Sequence, residues 1–573
     1  MRTRIFSLIA ALSLALLLSG LFYMQVVRHH RYKLMSEENR LKVVPLAAPR
    51  GTIFDRRGEA IVKDVLSFDA AVIWYRIKDA AALSAALGEV LGEPAEEMAA
   101  QIEKGKARPY SPVTVEEDIG IEKAIQVEEM SMDYPGLLLE VTARRKYLRG
   151  KTAANMLGYL GLINRDEFNR LKPYGYRMND LVGRDGVEKY YDEYLRGSHG
   201  GKQIEVDYRG REVKTLGFKE PASGRDLELT IDLGLQEFCD GLLEDKRGAI
   251  VVMDPDTGAV LAMANSPSYD PAVFLDKRRR SEVSGLLNDS DYPLLNRAIS
   301  GVYPPGSVFK LVVATGALQK GLSSEGTTFT CPGYLMLGKA RFNCWRKGGH
   351  GTQVLREAIK NSCNVYFFRL GLLLGAEGIA EYARKFGLGS PTGIDLPGEN
   401  RGLVPDPGWK WKRFKEKWYK GDTVNYSIGQ GYLLCSPAQI AALVSVFANG
   451  GYLVQPYVVE KIGGIPESDG KKIDLGISPE VLGSVRKGMR EVVNDPRGTG
   501  MKARLRDVVV AGKTGTAQTS RGKSHGWFMG FAPFKAPRIS VVVFDEYGGK
   551  GGYYAAETAG RVFRKAEELG LLD

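Results

Sequence analysis

The spacing of apolar positions changes several times along the chain, and each change marks an element. Residues 5–27 are 23 consecutive uncharged, mostly apolar positions, enough at about 1.5 Å per residue to cross a hydrocarbon core about 30 Å thick. The run is longer than the apolar core of a secretory signal, and Phe22, Tyr23 and Met24 carry it past Leu18, so an uncleaved single anchor is expected. Residues 50–62 read as strand, polar turn and strand. Residues 80–126 carry Ala, Glu and Leu at helical spacing, with a Pro and Gly break at 106–112. Gly183-Arg184-Asp185-Gly186 then opens a helix predicted over 187–195, and a strand is predicted over 202–213.

The pattern changes at residue 226. A strand at 227–231 and a helix at 234–244 lead to two strands, 249–253 and 259–264, joined by the turn at 254–258, which implies an antiparallel sheet. Ser436-Pro437-Ala438-Gln439 is a capping box with proline at the first helical position, and the apolar helix it starts runs to Asn449 and Gly450. Residues 508–511 and 539–544 have the continuous apolar character of buried strands, and 555–569 is an amphipathic helix. The predicted class is a multidomain α+β protein: a tail at 1–4, the anchor at 5–27, a mixed domain at 28–225 and a larger domain at 226–573 in which helices flank an antiparallel sheet.

Composition adds limits. At 573 residues the chain exceeds one hydrophobic core, and 44% hydrophobic with 26% charged residues excludes disordered, collagen-like and multi-span membrane classes. The net charge of +11 is spread thinly, so it favours an anionic partner only weakly. Five cysteines exclude a disulfide-stapled scaffold and leave room for one bridge or one metal site.

Candidate chemistry begins at Tyr303-Pro304-Pro305-Gly306-Ser307-Val308-Phe309-Lys310, where a turn rich in Pro and Gly feeds an apolar helix over 311–318. Ser307 and Lys310 are three apart and share a helix face. A serine hydroxyl needs an adjacent base, and a buried lysine of lowered pKa can supply one. Such a pair alone is more simply read as an N-capping serine beside a solvated lysine. Two later segments change the balance: Ser362-Cys363-Asn364, 55 residues on, and Lys513-Thr514-Gly515-Thr516, behind a predicted strand. The first offers a hydroxyl and an amide to relay a proton and orient a peptide. The second offers glycine for close backbone approach and a lysine to hold a carboxylate or tune the serine.

With these three motifs in order, the sequence resembles the penicillin-binding protein and serine β-lactamase superfamily. Arg50-Gly51-Thr52-Ile53-Phe54-Asp55-Arg56-Arg57-Gly58 resembles the N-terminal box of class B penicillin-binding proteins. Tyr426-Ser427-Ile428-Gly429-Gln430-Gly431 and the run from His525 to Pro533 are similar to transpeptidase-domain signatures. The wording is most similar to the elongation type, penicillin-binding protein 2, with the septal type as competitor. The resemblance implies a pedestal at 28–225, a transpeptidase domain at 226–573 and a D,D-transpeptidase that crosslinks peptidoglycan stems and is acylated by β-lactams. It implies Ser307 as nucleophile, Lys310 as base, Ser362 as relay, Asn364 as anchor, and Lys513, Thr514, Gly515 and Thr516 as substrate binders, with the N–H groups of Ser307 and Thr516 facing the oxyanion. No cofactor is required for that chemistry.

Implied partners are stem peptides on lipid-linked precursor strands, β-lactams, and a SEDS-type membrane glycosyltransferase such as RodA with other elongation proteins. The substrate lies outside the cytoplasmic membrane, which gives the single-pass anchor an orientation that Arg2, Arg4, Arg28, Arg31 and Lys33 leave undecided. Nucleic acid is not an expected ligand, so the basic stretches 277–280 and 410–420, the latter with Trp411 and Trp418, are expected to be solvated faces or wall contacts. A non-catalytic scaffold that activates a glycosyltransferase, and a β-lactam sensor or hydrolase, are the alternatives.

Cys331, Cys344, His350 and Cys363 are spaced 13, 6 and 13 apart with glycines between. Three thiolates and an imidazole suit structural zinc; some penicillin-binding protein 2 relatives are similar here, with acidic residues where this chain has Cys331 and Cys344, and sulfur favours zinc over magnesium or calcium. A Cys331–Cys344 disulfide is the other reading. Cys239 and Cys435 fall on apolar helix faces and are expected in the core; His525 is expected to be structural.

Overall fold

An exposed apolar helix, Arg2–Phe22, runs into a π-helical turn, Tyr23–Val27. Together they give a span from Arg4 to Val27, 24 residues with none of it buried against the rest of the protein, consistent with a membrane anchor. The structure, a computed structural model, describes residues 2–30, 32–33, 41–178, 180–207, 212–467, 470–519, 522–549 and 551–573. These residues form two compact units that interleave along the chain: Met1–Gly51, Asp64–Lys146 and Arg196–Gly224 in one, Thr52–Lys63, Tyr147–Leu195 and Arg225–Asp573 in the other. The segments 52–63 and 147–195, though they precede residue 226, thus pack within the second unit.

In the first unit the helical spacing of 80–126 resolves into Ala80–Leu91, Ala95–Glu103 and Gly120–Asp133. Asp79 caps the first by accepting from the N–H groups of Ala81 and Ala82, each at 3.0 Å. The break at 106–112 leads into a strand, Val113–Glu116, which pairs with the strand Ala60–Val72 over residues 70–72. Leu83, Leu87, Met98, Ile102 and Val127 bury their side chains in one core with Ala70 and Val72. The predicted strand 202–213 is instead two antiparallel strands, Gly200–Val206 and Glu212–Lys219. Residues 208–211 of that prediction lie outside the described residues. Leu41–Leu46 completes a three-stranded sheet beside Gly200–Val206.

The second unit is built on a five-stranded antiparallel sheet in the order Val260–Ser266, Gly248–Met253, Ile539–Asp545, His525–Ala532, Ala511–Ala517. Gly248–Met253 and His525–Ala532 are buried at every position, so both faces are covered and the apolar runs are continuous rather than alternating. The helix Tyr554–Glu568, which also meets Leu233–Leu242, and the helix Pro437–Ala448 pack on this sheet. Ser436 caps the latter reciprocally: its hydroxyl accepts from Gln439 N at 3.2 Å and its N–H donates to Gln439 Oε1 at 3.0 Å. The predicted helix 187–195 appears as two short turns, Gly186–Tyr190 and Asp192–Leu195, interrupted at Tyr191, whose hydroxyl donates to buried Asp395 at 2.8 Å. The hairpin expected at 50–62 forms, with Ile53 opposite Val62 and Phe54 opposite Ala60.

A further strand differs from expectation. Residues 508–510 lie outside the sheet, and its last strand is Ala511–Ala517, the Lys513-Thr514-Gly515 segment itself. Gly512, Lys513, Thr514 and Gly515 lack the apolar β-branched character that marks a strand, and pairing with His525–Ala532 overrides that weak local preference.

Candidate active site

Ser307 lies in a 3-10 turn, Gly306–Phe309, that runs directly into the helix Lys310–Gln319. It therefore precedes the α-helix rather than occupying its first turn. From Lys310 to Ala317 every residue of that helix is buried, the mark of a helix surrounded by protein on all sides. Ser307 itself is half-buried.

Glycines make the junction around this serine. Gly306 has φ +58° and donates its N–H to the Gly429 carbonyl at 2.9 Å. A Cβ on Gly306 would stand 2.8 Å from the Thr516 carbonyl oxygen, one on Gly429 would stand 2.1 Å from the Gly306 carbonyl oxygen, and one on Gly515 would stand 2.8 Å from the Pro305 carbonyl oxygen. The serine turn, the Tyr426–Gly431 loop and the end of the Ala511–Ala517 strand thus touch through main chain. Trp527 reinforces the contact by donating its indole N–H to the Pro304 carbonyl at 3.0 Å.

Ser362 and Asn364 reach the same place. The helix Leu355–Lys360 ends, Ser362 turns the chain with φ +50°, and the next helix starts at Asn364. Left-handed backbone at a non-glycine residue is strained and persists where the surroundings hold it. Here Lys310 Nζ donates to the Ser362 carbonyl at 2.9 Å, to Ser362 Oγ at 3.2 Å and to Asn364 Oδ1 at 2.7 Å. Trp345, in the loop between Cys344 and His350, donates its indole N–H to the carbonyls of Asn361 at 3.1 Å and Ser362 at 3.2 Å. Sequence reasoning missed Trp345; its place next to Cys344 was the available signal.

Burial sets the electrostatics. Lys310 has no exposed surface, and desolvation pushes its pKa down to about 8 although nearby Cys363 and Cys344 pull the other way. Lys513, equally buried, is driven well below the ordinary lysine range by desolvation first and by the charge of Lys310 second. Its Nζ donates to the Thr514 carbonyl at 2.9 Å. Thr514 Oγ1 donates to Thr499 Oγ1 at 3.1 Å, and exposed Thr516 accepts the Gly551 N–H at 3.2 Å. The site therefore combines a half-exposed hydroxyl, two desolvated amines, and a strand that ends the sheet.

The four predicted metal ligands also converge: Sγ of Cys331, Cys344 and Cys363 and a nitrogen of His350 all lie within 4.8 Å of one another. His350 Nδ1 is 3.7 Å from Cys331 Sγ and 3.5 Å from Cys344 Sγ, and the cysteines are not disulfide-bonded. Hydrogen bonding from Cys363, then from His350, holds the Cys344 thiol far below its ordinary range, while the Cys344 contact and burial push Cys363 up. Three sulfur donors and one imidazole within such reach of one another fit a zinc ion.

Other candidates are packing features. Cys239 and Cys435 are fully buried. His525 is buried and accepts the Tyr547 N–H on Nδ1 at 3.1 Å. Arg278 and Arg279 pair with Asp276, Asp270 and Glu282. The expectation of a solvated face at 410–420 needs correction at two positions. Lys410 is 3% exposed and donates to Asp422 at 2.7 Å, and Trp418 is half-buried with its indole donating to Thr423 Oγ1. Apolar stems and an acidic partner draw them inward, whereas residues 411–417 are exposed.

Comparison with known proteins gives the same reading. The penicillin-binding protein transpeptidase domain matches residues 248–566 and the penicillin-binding protein dimerisation domain matches 45–229. Peptidoglycan D,D-transpeptidase MrdA of Acinetobacter baumannii is 34% identical over 98% of this chain and 87% of its own length. Penicillin-binding protein PBP2 of Helicobacter pylori, solved in complex with MreC, superposes with TM-score 0.80 at 30% identity, covering 93% of this chain and all of that one. A chain of a peptidoglycan synthase complex that coordinates polymerization and crosslinking superposes with TM-score 0.78 at 32% identity, over 98% of both chains. With the two domain matches spanning most of its length, this chain belongs to the penicillin-binding protein 2 (MrdA) family of peptidoglycan D,D-transpeptidases.

Proposed function

We propose that the chain is a membrane-anchored D,D-transpeptidase that crosslinks peptidoglycan during cell-wall elongation. The observation that carries this reading is Lys310: a buried amine, shifted toward neutrality, held between Ser362 and Asn364 and one helical turn from Ser307. Ser307 Oγ attacks the carbonyl of the penultimate D-alanine, and its proton passes to Lys310. The tetrahedral oxyanion is met by the N–H groups of Ser307 and Thr516, an arrangement contributing about 3 kcal/mol. The C–N bond breaks, Ser362 relays the proton to the departing D-alanine amine, and an ester on Ser307 remains. An amine of a neighbouring stem attacks that ester, forms the crosslinking amide, and returns the proton to Ser307.

Asn364 orients the stem amide, and Lys513, Thr514 and Gly515 align the extended stem beside the last strand. A β-lactam enters by the same route and stays as a stable ester. The intact set of side chains favours catalysis over a purely scaffolding role, and the likeness to MrdA relatives favours elongation over septation.

Cys331, Cys344, Cys363 and His350 hold a zinc ion in this reading. It would supply no reacting group; through it Cys363 would be joined to the 331–350 segment. The anchor places residues 28–225, as pedestal, and 226–573, as catalytic domain, outside the cytoplasmic membrane. Partners are the stem peptides of lipid-linked strands, a SEDS-type glycosyltransferase such as RodA and an MreC-like protein; the relatives seen with MreC and in a synthase complex support this. Labelling with a fluorescent penicillin tests the site: wild type forms a lasting adduct and Ser307→Ala none. An adduct that survives Ser307→Ala, or wild type that turns the drug over rapidly, overturns the assignment.

A further inference from the structure

The Ser362 carbonyl has two donors from different parts of the chain: Lys310 Nζ at 2.9 Å and the Trp345 indole N–H at 3.2 Å. We infer that Trp345 is a positioning residue for the acylation step, holding the Ser362 turn in its left-handed conformation while Lys310 exchanges protons with Ser307 and Ser362.

The argument starts from what the turn lacks. Ser362 at φ +50° has no glycine's freedom, and its own N–H is used by the Ile359 carbonyl at 3.2 Å. The peptide plane that follows is held on one side by the Cys363 N–H, which donates to the Ala358 carbonyl at 3.0 Å, and on the other by what the Ser362 carbonyl accepts. Lys310 is an unsteady anchor in the proposed mechanism, because an amine that takes and gives a proton changes from two N–H bonds to three and must turn its lone pair toward the acid it serves. The indole N–H of Trp345 keeps its proton through every step. It is shared with the neighbouring Asn361 carbonyl at 3.1 Å, so two successive peptide planes on the approach to Asn364 are fixed by one group.

Trp345 is itself held in place. It follows Cys344 directly, and its ring meets the His350 ring edge to face at 5.2 Å. Asn364, on the other side of Ser362, donates to the Asn343 carbonyl at 3.4 Å, two residues before Trp345. The 343–350 loop therefore grips the Ser362 turn at both ends. With Trp345 58% exposed, core packing does not explain its orientation; the two carbonyls do.

The inference rests on the roles proposed above for Lys310 and Ser362, and the experiment separates the two. In the detergent-solubilised full chain, Trp345→Phe keeps a ring against His350 and deletes the N–H; replacement of Trp345 by benzothienylalanine exchanges only the N–H for sulfur. Saturation kinetics with a fluorescent penicillin give the initial dissociation constant and the acylation rate constant separately. Both variants are expected to acylate about three- to tenfold more slowly, the worth of one lost hydrogen bond, with the dissociation constant, melting temperature and bound zinc unchanged. Unchanged acylation in the benzothienylalanine protein overturns the inference, as does a loss traced to zinc release or a lowered melting temperature in both variants. Ser307→Ala, run alongside, reports on the site assignment alone: a surviving adduct there indicts the nucleophile and not Trp345.

Discussion

Lys310 Nζ and Asn364 Oδ1 stand 2.7 Å apart in a site where Lys310 has no exposed surface. The amine is thus surrounded by neutral acceptors rather than by a carboxylate, and burial leaves its pKa at about 8.

Acylation is consequently expected to follow the neutral amine. A base must be deprotonated to act, so the acylation rate constant rises about tenfold per pH unit between roughly 6 and 7.5 and levels above the Lys310 pKa. The rate of fluorescent penicillin labelling against pH measures this. A flat profile from pH 6 to 9 would remove Lys310 as the base.

Gly306→Ala places a methyl 2.8 Å from the Thr516 carbonyl oxygen at φ +58°. Backbone on both sides of the contact leaves little to give, so a cost of about 1–3 kcal/mol is expected. Because the displaced groups are the serine turn and the strand carrying Lys513, penicillin acylation should fall more than tenfold. Thermal melts and labelling rates of the same preparation check both parts.

Asp240 is half-buried and its carboxylate accepts from the Ala153 N–H at 3.0 Å and the Gln236 amide at 3.1 Å, while desolvation raises its pKa from 3.8 to about 7. Between those values the folded chain binds a proton that the unfolded chain has released. This contribution is therefore fully present below pH 4 and lost as pH rises through 7, by about 2–4 kcal/mol at most. Asp240→Asn keeps an acceptor without the charge. It should melt higher than wild type at pH 8 and within a degree or two of it at pH 4.5; equal melting at both values would contradict the burial argument.

The thiolate cluster predicts about one zinc per chain by elemental analysis, reduced by more than half in Cys344→Ser. Slow chelation should lower the melting temperature and the acylation rate together, since Cys363 lies between Ser362 and Asn364. Wild type that is free of metal and fully active would end the zinc assignment.

Much of this architecture is legible in the sequence because local and tertiary preferences agree. The capping box at Ser436 and the buried runs around Ile250 and Val542 appear where their patterns put them. The three candidate motifs stand in order along the sequence, yet the serine turn meets the 513–516 segment through glycines 306 and 515, and the Ser362 turn through Lys310, contacts that emerge only in the fold. The strand at Ala511–Ala517 was hidden by its glycines and polar side chains. The burial of Lys410 is hidden in the sequence because its partner Asp422 lies 12 residues on, in the first turn of a different helix, Lys420–Tyr426. Trp345 carried no motif, since an indole acting on main-chain carbonyls leaves no sequence partner to recognise.

The sheet order terminates at Ala511–Ala517, and that unfinished border has a consequence for which molecules are admitted. In the proposed reading, a guest that supplies the missing ladder is screened by its main-chain shape before any bond is made or broken, because it must be extended. Discrimination of that kind is blind to residues far from the reacting end. Any rigid amide of the right contour, whatever its origin, passes the same gate.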